Sequence, residues 1–161
     1  MIGEQVQTAG GHTVGELIRI SCKPENTRIN RVTPHYIMLQ WPWRSIDPES
    51  RRVRWSGEVA LPRDPDHFEW HNTPWRVEAD TLELQVGDIA LVAIVPVTVR
   101  IRRIHRHDPP IKLGWLPRPE IALGVCFLGD EDKQEAGFLL HRPTAEPIVI
   151  ERVDEPQGSA V

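Results

Sequence analysis

Fifteen prolines are spread through 161 residues, about twice the usual share, and they limit what this chain can fold into. Each one removes a backbone donor, and inside a helix its ring clashes with the preceding turn. No segment longer than about ten residues carries a helical period free of an interrupting proline or glycine. Long helices are therefore excluded as the main fabric. Strands remain, provided the prolines fall at turns, edges or bulges.

Period-two alternation fills the space between the prolines. Ile18, Ile20 and Cys22 alternate with Leu17, Arg19 and Ser21. Ile37, Leu39, Trp41 and Trp43 share a face, and Val53, Trp55, Gly57, Val59 and Leu61 do the same in one predicted strand. Leu82, Leu84 and Val86 run into a turn at Gly87-Asp88. Ile89 to Val95 is apolar on both faces, as a central strand should be, and Pro96 should bend or bulge it before Val97, Val99 and Ile101 resume the alternation. Ile121 to Phe127, Phe138 to His141 and Ile148 to Ile150 supply the last strands, and a short helix is expected around Asp130–Gln134. The pattern predicts a mostly β fold: a single antiparallel β-barrel or β-sandwich of about eight strands with long Pro/Trp-rich loops.

The length suits one domain, which at this size buries roughly 70% of its unfolded surface and needs no disulfide or metal to hold it. Residues 1–15 read as a flexible N-terminal arm, 16–153 as the β-domain and 154–161 as a disordered C-terminal tail. Cys22 and Cys126 lie far apart in apolar settings and read as two free buried thiols, which points to a reducing, cytoplasmic setting. The N-terminal residues lack a secretory signal pattern, and the longest apolar run, Ile89 to Val99, is too short to cross a bilayer. A net charge of −4 gives no overall pull towards nucleic acid, and no nucleic-acid, dinucleotide or phosphate-loop motif is present. The arginines of the 100–106 segment read as a solvated sheet face.

Tryptophan is the remaining anomaly. Six Trp stand against three Phe and one Tyr, and five of them fall between Trp41 and Trp75 in a proline-rich stretch. Wide rings on a stiff frame suit either a core or a recognition surface. Trp41, Trp43 and Trp55 occupy the apolar phase of their strands and read as core, whereas Trp70, Trp75 and Trp115 sit on proline-stiffened loops and read as pocket or interface residues. The expected ligand-binding set is Trp43, Trp55, Trp70, Trp75, Arg76 and Trp115, with Arg76 offering a cation–π or anion contact. Glu58, Glu69 and His71 are the candidate acid–base groups, because a carboxylate beside Trp rings can have a raised pKa. His67 with His71, and His105 with His107, are the candidate metal ligands, since residues 105 and 107 of a strand share a face.

Three functions follow from these groups. The first is a soluble domain binding a small apolar or aromatic ligand in a Trp-lined pocket, with turnover assisted by the acid–base set. The second is a protein-interaction or structural module using the Trp/Pro loops, homo-oligomerisation included. The third is a His-rich metal-dependent enzyme. No cofactor motif is present and nucleic acid is disfavoured as a partner.

Overall fold

The structure, a computed structural model, describes residues 4–43, 45–46, 53–55, 57–106, 120–133, 137–142, 144 and 146–154, with backbone only for strand residues 45–46 and 53–55. It is mostly β. The strands are β1 (Glu4–Val6), β2 (Thr8–Ala9), β3 (His12–Thr13), β4 (Leu17–Val32), β5 (Tyr36–Gln40), β6 (Ser45–Ile46) and β7 (Val53–Trp55), followed by β8 (Glu58–Pro62). A 3-10 turn (Phe68–Asn72) precedes β9 (Arg76–Glu78), β10 (Ile89–Arg106), β11 (Ile121–Phe127), β12 (Phe138–Arg142) and β13 (Val149–Arg152).

Nine strands form one antiparallel sheet in the order β12-β11-β10-β4-β5-β8, with β1 and β9 added on β10 and β13 on β4. The pairings among the described residues do not close into a barrel. Two long strands, β4 and β10, make the spine and pair from Leu17↔Arg100 to Arg28↔Ile89. Each changes partner along its length. β4 takes β13 at Ile18–Ser21 and β5 at Ile29–Val32, while β10 takes β9 at Leu91–Ala93 and β11 from Val99 onward.

The two spine strands carry a proline each where they cross. Between the pairs Glu25↔Val92 and Cys22↔Ile94, β4 has the extra residue, and Pro24 lies in that stretch. Between Ile94 and Val97 the surplus passes to β10, and Pro96 lies in it. A bulge leaves a residue out of the ladder, so a missing N–H costs nothing there. The bulge expected at Pro96 is present, and its partner at Pro24 is a further one.

Two cores lie on either side of this waist. An aliphatic core gathers Ile18, Ile20, Cys22, Ile94, Val99, Ile101, Ile104, Leu123, Val125 and Leu140. A tryptophan core gathers Ile29, Ile37, Leu39, Trp41, Leu61, Trp70, Leu84, Ala90 and Val92. Trp43 and Trp75 pack against both. β-branched residues dominate the first because four regular strands converge on it, and each buried aliphatic side chain contributes about 1.5–3 kcal/mol.

Several sequence expectations need correction. The single strand over 53–61 is two elements in different sheets, β7 paired with β6 and β8 paired with β5, divided at Gly57. Leu82, Leu84 and Val86 form no strand: Leu82 and Val86 lie in turns and are exposed, and Leu84 is buried between them. Asp130 to Lys133 form turns rather than the start of a helix. Residues 4–6 pair with β10, and His12 of the β2–β3 hairpin is buried. Residues 155–161 lie outside the described residues.

Candidate functional site

Three tryptophans form a solid unit at the waist. Trp41, Trp43 and Trp75 have ring centroids 4.8–5.3 Å apart, with Trp41 edge-on to the other two. Edge-on and tilted arrangements suit the ring quadrupole. The Trp41 Nε1–H donates to Glu146 Oε1 at 2.9 Å, and the Thr144 hydroxyl donates to Glu146 Oε2. Glu146 and Glu25 also bear on Cys22, whose thiol is pushed up to about 11, chiefly by burial. Both cysteines are free and buried. Trp43 and Trp75 thus pack at the join between the two cores. Trp55 is paired with Ser45 through its backbone; Trp115 and His107 lie outside the described residues.

The cleft lies one step away, where the 3-10 turn meets β9. It has a volume of about 280 Å³ and is lined, among the described residues, by Pro65, Trp70, His71, Arg76, Val77, Ala79 and Thr81. Its frame is built by side chains bonding to backbone. His67 caps the turn by accepting from the Glu69 N–H at 3.1 Å. Trp70 is buried, contrary to its loop position, because its indole N–H finds the Asp64 carbonyl at 3.0 Å and its ring enters the tryptophan core. Arg63 donates to the carbonyls of Thr33, Thr81, Leu82 and Leu84, while the Thr81 hydroxyl returns a bond to the Arg63 carbonyl. These bonds replace the ladder that a strand would have supplied over 79–88.

Arg76 closes the frame. Its Nη1 donates to Thr73 O at 2.9 Å and Trp75 O at 2.7 Å, and its Nη2 to Trp70 O at 3.1 Å. The guanidinium lies 5.7 Å from the Trp70 ring centroid and 6.0 Å from that of Phe127, so it touches the margins of both cores. No carboxylate pairs with it among the described residues, and burial holds its pKa below the ordinary value.

The three candidate acid–base residues do not converge. Glu58 is exposed on β8 and accepts from Arg31 at 3.0 and 2.5 Å. Bonding to that guanidinium holds its carboxyl below the usual range, the opposite of what a general acid needs. The Glu69 carboxylate accepts from the Tyr36 hydroxyl at 3.2 Å. His71 alone of the three lines the cleft, and it is exposed.

The histidine pairs fare differently. His67 stacks on Phe68 with ring centroids 4.6 Å apart. His105 stands on β10 opposite Gln5 and Ala122, beside the aliphatic core. Among the described residues no three metal-ligating side chains cluster. Of the expected ligand-binding set, the structure brings Trp70 and Arg76 to the cleft and gives Trp43 and Trp75 to packing. Pro65, Val77, Ala79 and Thr81 were missed, and nothing in their residue types marks them in a sequence.

No family model matches the chain, and no curated protein or solved structure matches it. Function is therefore argued from the chain's own groups.

Proposed function

We propose that the protein is a small-ligand-binding β-domain whose site is the cleft between the 3-10 turn and β9. The carrying observation is that cleft: a concave space walled by Trp70, Val77 and Pro65, with the paired-off backbone of the turn on one side and, on the other, a guanidinium with no carboxylate partner among the described residues. Apolar walls with few polar groups are the usual make-up of a ligand site, and 280 Å³ matches a small molecule. Any turnover falls to His71 on the rim. The test is a fragment screen on the full chain by two-dimensional amide NMR. Shifts confined to residues 65–81 support the reading, and loss of those shifts in Ala79→Phe, which fills the cleft, completes the support. A screen that leaves these amides unmoved defeats it.

A second reading, docking of another protein or a second copy, is favoured by the exposed apolar side chains Phe68, Leu82, Val86 and Ile89. Size-exclusion chromatography with light scattering tests its homo-oligomeric form, and a monomer at high concentration rules that form out. The free thiols support a reducing, cytoplasmic setting. Among the described residues, no helix is long and apolar enough to cross a membrane. Of the two architectures expected from sequence, the open strand order and the paired cores favour the sandwich.

A further inference from the structure

Arg63 and Arg76 do the same structural work, yet Arg76 keeps more donors in reserve. Arg63 bonds carbonyls through Nε, Nη1 and twice through Nη2. Arg76 bonds carbonyls twice through Nη1 and once through Nη2. A guanidinium has N–H groups on all three nitrogens, so Arg76 keeps its Nε–H and one Nη2–H without acceptors among the described residues. An Nε–H and an Nη2–H of one guanidinium can donate to the two oxygens of a carboxylate. A half-buried cation with no carboxylate partner among the described residues carries a desolvation cost that an anion would offset.

The rest of the lining narrows the anion. Trp70, Val77, Pro65 and Ala79 give the cleft an apolar side, which a phosphate or sulfate would leave unused. A volume of about 280 Å³ suits a small body. We propose that the cleft takes a small monocarboxylate with an apolar body, its carboxylate held by Arg76 and its body set against Trp70, Val77 and Pro65. This rests on the reading of the cleft as the ligand site, and it adds the chemical class.

Three probes on the full-length chain separate the possibilities: benzoate, benzyl alcohol and inorganic phosphate, each titrated while the amides of residues 65–81 are followed by NMR. Benzoate should saturate and bind at least about tenfold more tightly than benzyl alcohol, the margin expected for charge-assisted hydrogen bonds. Phosphate should not compete with benzoate. Equal binding of benzoate and benzyl alcohol keeps the cleft as a ligand site but overturns the carboxylate. Phosphate competing as well as benzoate overturns the apolar body. Silence from all three probes removes both this inference and the reading beneath it. Arg76→Lys keeps the charge and loses the fork, and it should weaken benzoate by about tenfold; benzoate affinity equal to that of the unmodified chain would remove Arg76 from the site. Should that variant lose its fold along with three carbonyl bonds, the contrast between benzoate and benzyl alcohol on the unmodified chain decides alone.

Discussion

The two cores are built by different means. In the aliphatic core, β4, β10, β11 and β12 lie side by side, backbone bonds backbone, and side chains only pack. In the tryptophan core, β4, β5, β8 and β10 cover one part, and the chain over 63–88, mostly irregular outside the 3-10 turn and β9, covers another, held by Arg63, Arg76 and the Trp70 indole. A ladder gives a closed, repetitive surface. Side chains that bond carbonyls allow the chain to bend freely, and here the bend leaves a cleft. The difference shows where such a fold leaves a cleft: in the part whose backbone is satisfied by long polar side chains.

The largest effect expected of a single change is in the tryptophan core. Trp70→Ala removes a buried ring and an indole bond and should cost about 3–5 kcal/mol in urea unfolding. The two cores share β4, β10, Trp43 and Trp75, so the loss should spread. With Cys126 replaced by Ala, thiol labelling of Cys22 reports opening of the aliphatic core, and Trp70→Ala should speed it. Unchanged labelling would mean that the cores open independently.

Next comes Ile101→Ala, in the aliphatic core and fully buried, with an expected loss of about 2–4 kcal/mol by the same measurement. Arg63→Ala should cost less, about 1–2 kcal/mol, because its bonds reach partly exposed carbonyls. Its signature is regional: amide exchange should rise over residues 79–88 and stay unchanged on β11. Equal rises in both places would erase the distinction between the two modes of construction.

The smallest effect belongs to Glu58. Its carboxyl titrates below the ordinary 4.5 because Arg31 bonds it, so the pair stabilises the fold above that value and the contribution fades as pH falls through the lowered one. Glu58→Gln should therefore be slightly less stable than the unmodified chain at pH 7 and equal to it in strong acid. The pair is exposed, so the gap at pH 7 should also shrink in high salt.

How far the sequence reveals each region follows from the same contrast. The aliphatic core was readable because its strands alternate: Ile18 and Ile20, Val97, Val99 and Ile101, and the run Ile121 to Phe127 all fall where the period puts them. Pro96 announced its bulge by lacking a donor. The tryptophan core was not readable. Trp70 is buried through a bond to Asp64 that no period encodes. Leu82 to Val86 alternates like a strand, yet Arg63 and Asp80 bond its backbone first, the latter through Oδ1 to the Leu82 N–H at 3.1 Å. Val53 to Leu61 alternates without a break, and only the pairing partners show that the chain changes sheet at Gly57. Of the candidate site, Arg76 and Trp70 were identifiable by type, and their meeting was not.

The register of the spine has a consequence for the order of events as the chain is made. β4 emerges early, but its partner along most of its length is β10, and the pair Leu17↔Arg100 cannot form until well over half of the sequence exists. The β4–β5–β8 meander closes over short distances along the chain and needs none of β10. Contacts between distant residues form slowly. The short meander that frames the tryptophan core should therefore assemble first, and the aliphatic core, for all its regularity, should be the last to close.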